Sequence, residues 1–129
     1  MEKVEKIYEG NTLVSIIFRG NIKYDDPTFV TPAEYPIQVG IHNTLHKKVS
    51  SKHRNGFINL SGKIRTHEVV FVQSGAVRVN YFSKKGVLLT SKKLKGGDGV
   101  LIMNVDHQII MSKKTRVIEI KQGPYAKKI

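Results

Sequence analysis

Short apolar runs separated by glycine-centred turns dominate the hydrophobic pattern of this 129-residue chain. Helix-period patterns are almost absent, whereas segments of strand length recur throughout the sequence. The predicted strands are Leu13–Phe18, Pro36–His42, Glu68–Gln73, Ala76–Phe82, Val87–Leu94, Gly99–Met103, His107–Met111 and Arg116–Lys121. The stretch Ser50–Ser61 is predicted to be a loop or an irregular edge. Many short strands with glycine turns predict an all-β antiparallel sandwich or barrel.

Glu68 opens a run that is otherwise apolar and β-branched. Because side chains alternate along a strand, an inward Glu68 places Val70 and Val72 inside, and His67 outside. A buried carboxylate is costly unless a partner compensates it. The strand therefore predicts that Glu68 has a specific partner, either a basic side chain at the barrel rim or a metal or ligand.

The turn at Gly75 predicts that the segments on either side of it pair as neighbouring strands. This register sets Val72 beside Val77, and it brings Tyr81 close to Glu68 on the same face. Tyr81 is then a candidate for proton transfer, with a purely structural place in the core as the alternative.

Four further side chains are predicted to face the same interior. His107 and Ile109 share one face of their strand, and Gln38 and His42 share one face of theirs. A carboxylate, a phenol and imidazoles that converge in an apolar cavity are typical of a small-molecule site. Gln38, His42, Tyr81 and Ile109 are therefore the predicted pocket residues.

The composition suits one compact domain over residues 1–129, with 40% hydrophobic residues and a single core. No cysteine is present, which excludes disulfides and thiolate zinc sites. No signal peptide and no apolar run long enough to span a bilayer are visible, so a cytoplasmic protein without a membrane partner is expected.

The formal net charge is +12, and the lysines cluster at 47–54, 84–95 and 113–128. Such a field attracts anions, and a phosphorylated small molecule, an anionic lipid or nucleic acid would each respond to it. A solvated lysine-rich surface is an equally simple interpretation. Nucleic acid is the weakest of these, because aromatic residues are rarely interleaved with the lysines and no helix-turn-helix or zinc-finger pattern exists.

The spacing Glu68-x6-Gly75, followed by Gly97-Asp98-x8-His107, resembles the two sequence motifs of the cupin superfamily. The resemblance implies a double-stranded β-helix, or jelly-roll, barrel. In this superfamily the first motif supplies a His-x-His pair and a Glu, and the second motif supplies another His. The four groups bind one divalent metal inside the barrel.

Two segments resemble the ends of small bacterial cupins that are often encoded among polysaccharide and sugar-modification genes. They are residues 31–43 (TPAEYPIQVGIHN) and residues 117–126 (VIEIKQGPYA). The resemblance covers roughly residues 29–126, and it implies a pocket and a homodimer without implying a reaction.

The resemblance assigns His53 as the first metal ligand, Glu68 as the carboxylate and His107 as the last histidine. Asn55 stands where the second histidine of the first motif is expected, and a neutral amide is a poor ligand. The second motif also lacks the usual Pro and Gly before its histidine, since residues 103–106 are Met-Asn-Val-Asp. Two nitrogens and one oxygen would suit Fe(II), Mn(II), Ni(II) or Zn(II).

Two functional interpretations follow. The first is a metal-assisted isomerase or epimerase that acts on a carbohydrate-derived, nucleotide-sugar-like substrate, with Tyr81 or His42 moving protons. The alternative is a non-catalytic binding module with a degenerate metal site and a basic surface for an acidic partner.

Overall fold

The computed structural model describes residues 4–19, 28–54, 57–59, 63–65 and 67–124. These ranges contain thirteen strands and no helix. The strands are β1 (Val4–Glu9), β2 (Thr12–Phe18), β3 (Thr28–Phe29), β4 (Ile37–Thr44), β5 (Lys48–Val49), β6 (Phe57–Asn59), β7 (Lys63–Arg65), β8 (Glu68–Ser74), β9 (Ala76–Phe82), β10 (Leu88–Lys95), β11 (Gly99–Ile102), β12 (Asp106–Met111) and β13 (Thr115–Gln122). Within the same ranges, no helix has the length and apolar character needed to cross a membrane.

Two antiparallel sheets form the body of the fold. The large sheet has the order β11-β8-β13-β4-β3, and the small sheet has the order β10-β9-β12-β5. The hairpins β1-β2 and β6-β7 are separate two-stranded sheets. Crossovers between the two main sheets produce a sandwich whose inner faces enclose one core.

Alternating side chains from both sheets fill that core. The large sheet contributes Val70, Val72 and Val117, and the small sheet contributes Val77 and Val79, all of which are almost completely buried. Burial of each such valine stabilises the fold by roughly 1.5–3 kcal/mol. These β-branched residues therefore lie on the inward face of the pleated strands, where they pack against each other.

The face assignment of β8 is confirmed. Glu68 is only 3% exposed and lies on the same side as the buried Val70 and Val72, while Val69 is 40% exposed on the opposite side. The candidate carboxylate therefore points into the barrel.

The predicted pairing across Gly75 is wrong. β8 belongs to the large sheet and β9 to the small sheet, so the chain changes sheets at this turn instead of closing a hairpin. Val72 pairs with Val117, and Val77 pairs with Met111. Val72 and Val77 nevertheless share one core cluster, because both point inward from opposite sheets.

All eight predicted strands are present, as β2, β4 and β8 to β13, with ends within two residues of those expected. The short strands β1, β3, β5, β6 and β7 were not predicted. The segment Ser50–Ser61 was predicted to be a loop or an irregular edge. Its described residues contain the short strand β6 and the bridge from His53 to β12, which fit an irregular edge. These pieces are too short or too polar to give a period-2 signal.

The hairpin β1-β2 contributes to a second, smaller apolar cluster. Val30 and Ile41 are buried there, and Val4, Ile16 and Val39 pack around them. Val39 and Ile41 alternate with His42 on β4, so this cluster covers the outer side of the large sheet and leaves the inner side to the barrel interior.

Gly75 is required by both its backbone and its surroundings. Its φ is +86°, and a Cβ there would lie 2.7 Å from Thr115 Cα and 2.9 Å from Lys114 O. Gly97 has a similar φ of +95°, but a Cβ there would meet nothing within 4 Å. Substitutions at these two glycines therefore allow the effect of steric crowding to be separated from the effect of backbone strain.

We expect Gly97→Ala to lower the free energy of unfolding by about 1–2 kcal/mol, the cost of a left-handed residue. Gly75→Ala should lose about 1–3 kcal/mol more, because the turn backbone must also shift. Urea denaturation of both variants measures the difference. Equal losses of unfolding free energy in the two variants would contradict steric crowding at Gly75, where the chain crosses between the sheets.

Candidate functional site

Three elements bring a group of potential metal ligands together inside the barrel. Glu68 begins β8, His107 lies on β12, and His53 lies in the segment after β5. One ligand atom from each of the three residues lies within 4.8 Å of the other two. The group corresponds to the three ligands expected from the sequence.

Backbone hydrogen bonds fix His53 against β12. The His53 N–H donates to the His107 carbonyl at 3.0 Å, and the His107 N–H donates to the His53 carbonyl at 2.9 Å. The two imidazole rings consequently lie with their centroids 4.3 Å apart. A segment with little sequence pattern is therefore held at a defined position beside a central strand.

Both histidines are oriented by a second contact. Nδ1 of His53 lies 2.9 Å from the Ser51 carbonyl, and Nδ1 of His107 lies 2.9 Å from the Val105 carbonyl. Because a carbonyl oxygen accepts, these contacts assign the proton to Nδ1 in each ring. Nε2 then carries the lone pair, which is the arrangement found in metal-binding histidines.

The donor set fits a divalent metal. His107 Nε2 and Glu68 Oε1 are 3.1 Å apart, with the two side chains 0% and 2% exposed. Their geometry is not that of a hydrogen bond, and neither atom has a hydrogen-bond partner within the described residues. Unpaired buried polar atoms are unfavourable. A cation would compensate both, and two nitrogens with one carboxylate suit Fe(II), Mn(II), Ni(II) or Zn(II).

An ion pair links the chain on either side of the group. Arg54 Nε donates to Asp106 Oδ1 at 2.8 Å, and Arg54 Nη1 donates to Asn104 Oδ1 at 3.2 Å. Arg54 follows His53 and Asp106 precedes His107, so the pair keeps the two imidazoles close. The hydrogen bond from Arg54 holds the pKa of Asp106 below its usual value.

A second, half-buried pair of ionisable groups lies next to this group. His42 Nε2 and Glu119 Oε1 are 3.7 Å apart on the neighbouring strands β4 and β13. Burial raises the pKa of Glu119, but contacts with His42 and Glu68 and the nearby charges outweigh burial and lower it to about 2. Glu119 is therefore a carboxylate at neutral pH, and it lies close enough to orient the His42 ring.

Sequence reasoning missed Glu119. In the β13 segment Val117–Lys121, the isoleucines at 118 and 120 alternate with Glu119 and Lys121, so hydrophobicity alone places the isoleucines inside. In the structure Glu119 pairs with Val70, an inward residue, while Ile120 is 41% exposed. The one available signal for an inward Glu119 was an isolated acidic residue among apolar neighbours in a strand, the same signal that singled out Glu68.

A cavity of about 300 Å³ opens beside the candidate ligands. It combines apolar, basic and acid–base side chains, namely Phe29, His42, Lys48, Ser50, His53, Ile109, Met111, Glu119 and Lys121. His53 belongs to both the cavity and the ligand group, so a molecule in the cavity would lie next to a bound cation. Gly40 leaves room for the Phe29 ring in the cavity wall, since a Cβ there would lie 2.8 Å from that ring.

The predicted pocket residues occupy different places. His42 and Ile109 line the cavity. Tyr81 pairs with His107 across β9 and β12 and packs against the core, where burial raises its pKa. Tyr81 is not among the residues that line the cavity.

Gln38 is buried on β4, but its amide holds the preceding loop. Gln38 Nε2 donates to the carbonyls of Pro32 and Tyr35 at 2.7 and 3.1 Å, and Oε1 accepts from Thr31 Oγ1 at 3.1 Å. Its contacts are thus structural. Asn55, the expected weak fourth ligand, lies outside the described residues.

The Arg54–Asp106 pair gives a pH-dependent prediction. Because the folded pKa of Asp106 is below its unfolded value near 3.8, the pair stabilises the fold above that pH. The stabilisation is lost as the pH falls through the folded pKa. We expect Asp106→Asn to lose about 0.5–1 kcal/mol at neutral pH, and progressively less as the pH falls below 3.8.

The measurement is denaturation at neutral pH and at a pH well below 3.8. It compares Asp106→Asn, Arg54→Met and the double variant with the wild type. The two single losses should overlap at neutral pH, giving a double variant little worse than either. Full additivity at neutral pH would contradict a direct pair.

No protein-family model matches the sequence, and a comparison with curated proteins found no match. Solved structures are similar in fold. KdgF from Halomonas sp. is 15% identical, with a TM-score of 0.55 over 74% of this chain and 76% of that chain. A cupin-2 domain protein from Shewanella frigidimarina is 14% identical, with a TM-score of 0.51 over 78% and 82%.

Oxalate decarboxylase from Lactobacillus farciminis is 13% identical, with a TM-score of 0.55 over 78% of this chain. This chain spans 28% of the length of that enzyme. At these identities the similarity concerns the fold. Together with the two antiparallel sheets around one core, it shows that the chain has the cupin jelly-roll fold.

Proposed function

We propose that this chain is a metal-assisted isomerase or epimerase whose substrate is a small, anionic, carbohydrate-derived molecule. The observation that carries the proposal is the buried approach of Glu68 Oε1 to His107 Nε2 at 3.1 Å, next to a cavity that contains His42 and Glu119. Neither of the two atoms has a hydrogen-bond partner within the described residues. The proposal includes a single domain over residues 1–129, a cytoplasmic location and a homodimer, the last on resemblance to small cupins alone.

His53, Glu68 and His107 would hold the metal. A bound divalent ion would supply Lewis acidity toward a carbonyl or hydroxyl oxygen of the substrate. The chain's own contribution is to keep these donors dry and close, through the core around Glu68 and His107 and through the Arg54–Asp106 pair.

Lys48 and Lys121 would select an anionic substrate. Both line the cavity, while Phe29, Ile109 and Met111 supply apolar walls. A phosphorylated or carboxylated sugar derivative has the matching charge, and its ring would displace water from the apolar part. A nucleotide-sugar would place only its sugar end in about 300 Å³.

His42 is the proposed proton carrier. The Glu119 carboxylate faces His42 Nε2, so it favours the tautomer that carries the proton on that nitrogen. His42 Nδ1 is buried and has no hydrogen-bond partner within the described residues. The His42 imidazole lines the cavity, and it would remove a proton from the carbon next to the substrate carbonyl and return it to the neighbouring carbon. Tyr81, the other proton carrier expected from the sequence, packs against the core and does not line this cavity, so His42 is preferred.

We expect Glu68→Gln to abolish metal binding, because a neutral amide replaces the only carboxylate among the three donors. Metal content after purification without chelators should fall at least tenfold relative to the wild type. His67→Ala, which removes a neighbouring exposed imidazole on the opposite face, should keep its metal. A metal-induced rise in melting temperature, present in the wild type and lost in Glu68→Gln, gives a second readout.

A Glu68→Gln variant that retains its metal would contradict the metal assignment. The assignment would equally fail if the wild type took up no metal and showed no thermal response to Mn(II), Fe(II), Ni(II) or Zn(II).

We expect His42→Asn to abolish proton exchange while the substrate still binds. A thermal-shift screen with sugar phosphates and sugar nucleotides identifies ligands, and the exchange of carbon-bound hydrogen in D₂O then measures catalysis. His42→Asn should reduce exchange by about 10²–10⁴-fold, the usual contribution of a general base. His67→Asn is the matched control on the outer face. Ligand-induced stabilisation without exchange in the wild type would favour the alternative, a non-catalytic binding module.

A further inference from the structure

A basic groove lies on the outer side of the small sheet, away from the barrel interior. Its volume is about 560 Å³, larger than that of the inner cavity, and the two share no lining residue. Four permanent cations line it: Lys47, Arg78, Lys93 and Lys113. We propose that this outer groove binds a phosphate-rich anion, a molecule that carries two or more linked phosphoryl groups.

The charges of the groove are not balanced by its own residues. No carboxylate occurs among the residues that line it. Arg78 and Lys93 also lie directly opposite each other on the paired strands β9 and β10. Like charges at directly opposed positions of a sheet are destabilising. A site that keeps such a pair without an acidic neighbour gains stability when an anion enters.

The walls of the groove are fixed by hydrogen bonds. The Lys114 N–H donates to the Leu45 carbonyl at 3.1 Å, which ties the loop with Lys113 to the loop with Lys47. The Ser112 N–H donates to the Ala76 carbonyl at 3.0 Å, which ties the first of these loops to β9. The cations are therefore carried by backbone that is already ordered, and less entropy is lost on binding.

Arg78 is directed by a short chain of hydrogen bonds. Its Nη1 donates to Ser91 Oγ at 3.0 Å, and Ser91 Oγ donates to Asn80 Oδ1 at 2.7 Å. One end of the guanidinium is thereby held, and a guanidinium has five N–H donors in all. Planar Arg donors recognise two phosphate oxygens at once, while lysines act as point charges around them.

The lining favours a phosphate chain over nucleic acid. No Phe, Tyr or Trp occurs among the residues that line the groove, so the His46 imidazole is the one ring there on which a base could stack. A concave space of about 560 Å³ is also far smaller than a duplex. Four cations within that space match the charge density of a di- or triphosphate, either inorganic or attached to a nucleoside.

The test compares two variants that lose the same charge. Arg78→Gln with Lys93→Gln removes the opposed pair, and Lys84→Gln with Lys85→Gln removes two exposed lysines from the β9–β10 turn, outside the groove. Binding of tripolyphosphate is measured by calorimetry at low and moderate salt. We expect the groove variant to bind at least tenfold more weakly than the wild type, and the turn variant to stay within twofold.

Melting temperature separates loss of binding from loss of folding. Without anion, the groove variant should melt no lower than the turn variant, because its substitutions relieve a like-charge pair. With tripolyphosphate, only the wild type and the turn variant should be stabilised. If the groove variant does not fold, Lys47→Gln with Lys113→Gln replaces it, since these side chains lie on loops.

Further ligands identify the source of the phosphate. Equal affinity for tripolyphosphate and nucleoside triphosphates supports recognition of the phosphate chain itself, and tighter binding of one nucleotide supports an added contact to its base. Equal weakening in both variants would overturn the proposal, as would binding of duplex DNA more tightly than tripolyphosphate under the same salt conditions.

Discussion

The structure depends on the buried approach of Glu68 to His107. Glu68 lies on the large sheet and His107 on the small sheet, and their Oε1 and Nε2 atoms are 3.1 Å apart, beside a core of valine, leucine, isoleucine and methionine. Two ionisable groups taken out of water are tolerated only if something completes their coordination. The backbone contacts of His53 and the Arg54–Asp106 pair contribute to this, because they hold the His53 imidazole, a third possible ligand, next to Glu68 and His107.

The same barrel separates two kinds of polar surface. Inside, Glu119 and Lys121 on β13 take inward positions that hydrophobicity would give to isoleucine, and they turn one end of the core into a charged cavity. On β12 the inner face lines that cavity through Ile109, and the outer face lines the basic groove through Ile110. Strand alternation thus allows one strand to serve two chemically different sites that face opposite directions.

Much of this was visible in the sequence, for a definable reason. Strands such as β8 and β9 have a period-2 pattern with β-branched residues, and each was predicted closely. The inward direction of the Glu68 side chain was predicted from the same alternation. Failures occurred where the pattern was short or misleading: β5 and the bridge at His53 are too brief to show a period, and the Gly75 turn looked like a hairpin. A hairpin and a sheet crossover use the same turn residues, so local chemistry does not distinguish them.

The sequence by itself determined the all-β class and the main strands, because these depend on alternation. Its resemblance to the cupin motifs indicated the three side chains that meet as candidate ligands. Only the tertiary structure decided which strands pair, that Glu119 faces His42 across β4 and β13, and that Arg78 lies opposite Lys93. Those facts depend on contacts between residues far apart in the chain. Strand register between distant segments is set by how the two sheets close over a common core, and no local pattern encodes it.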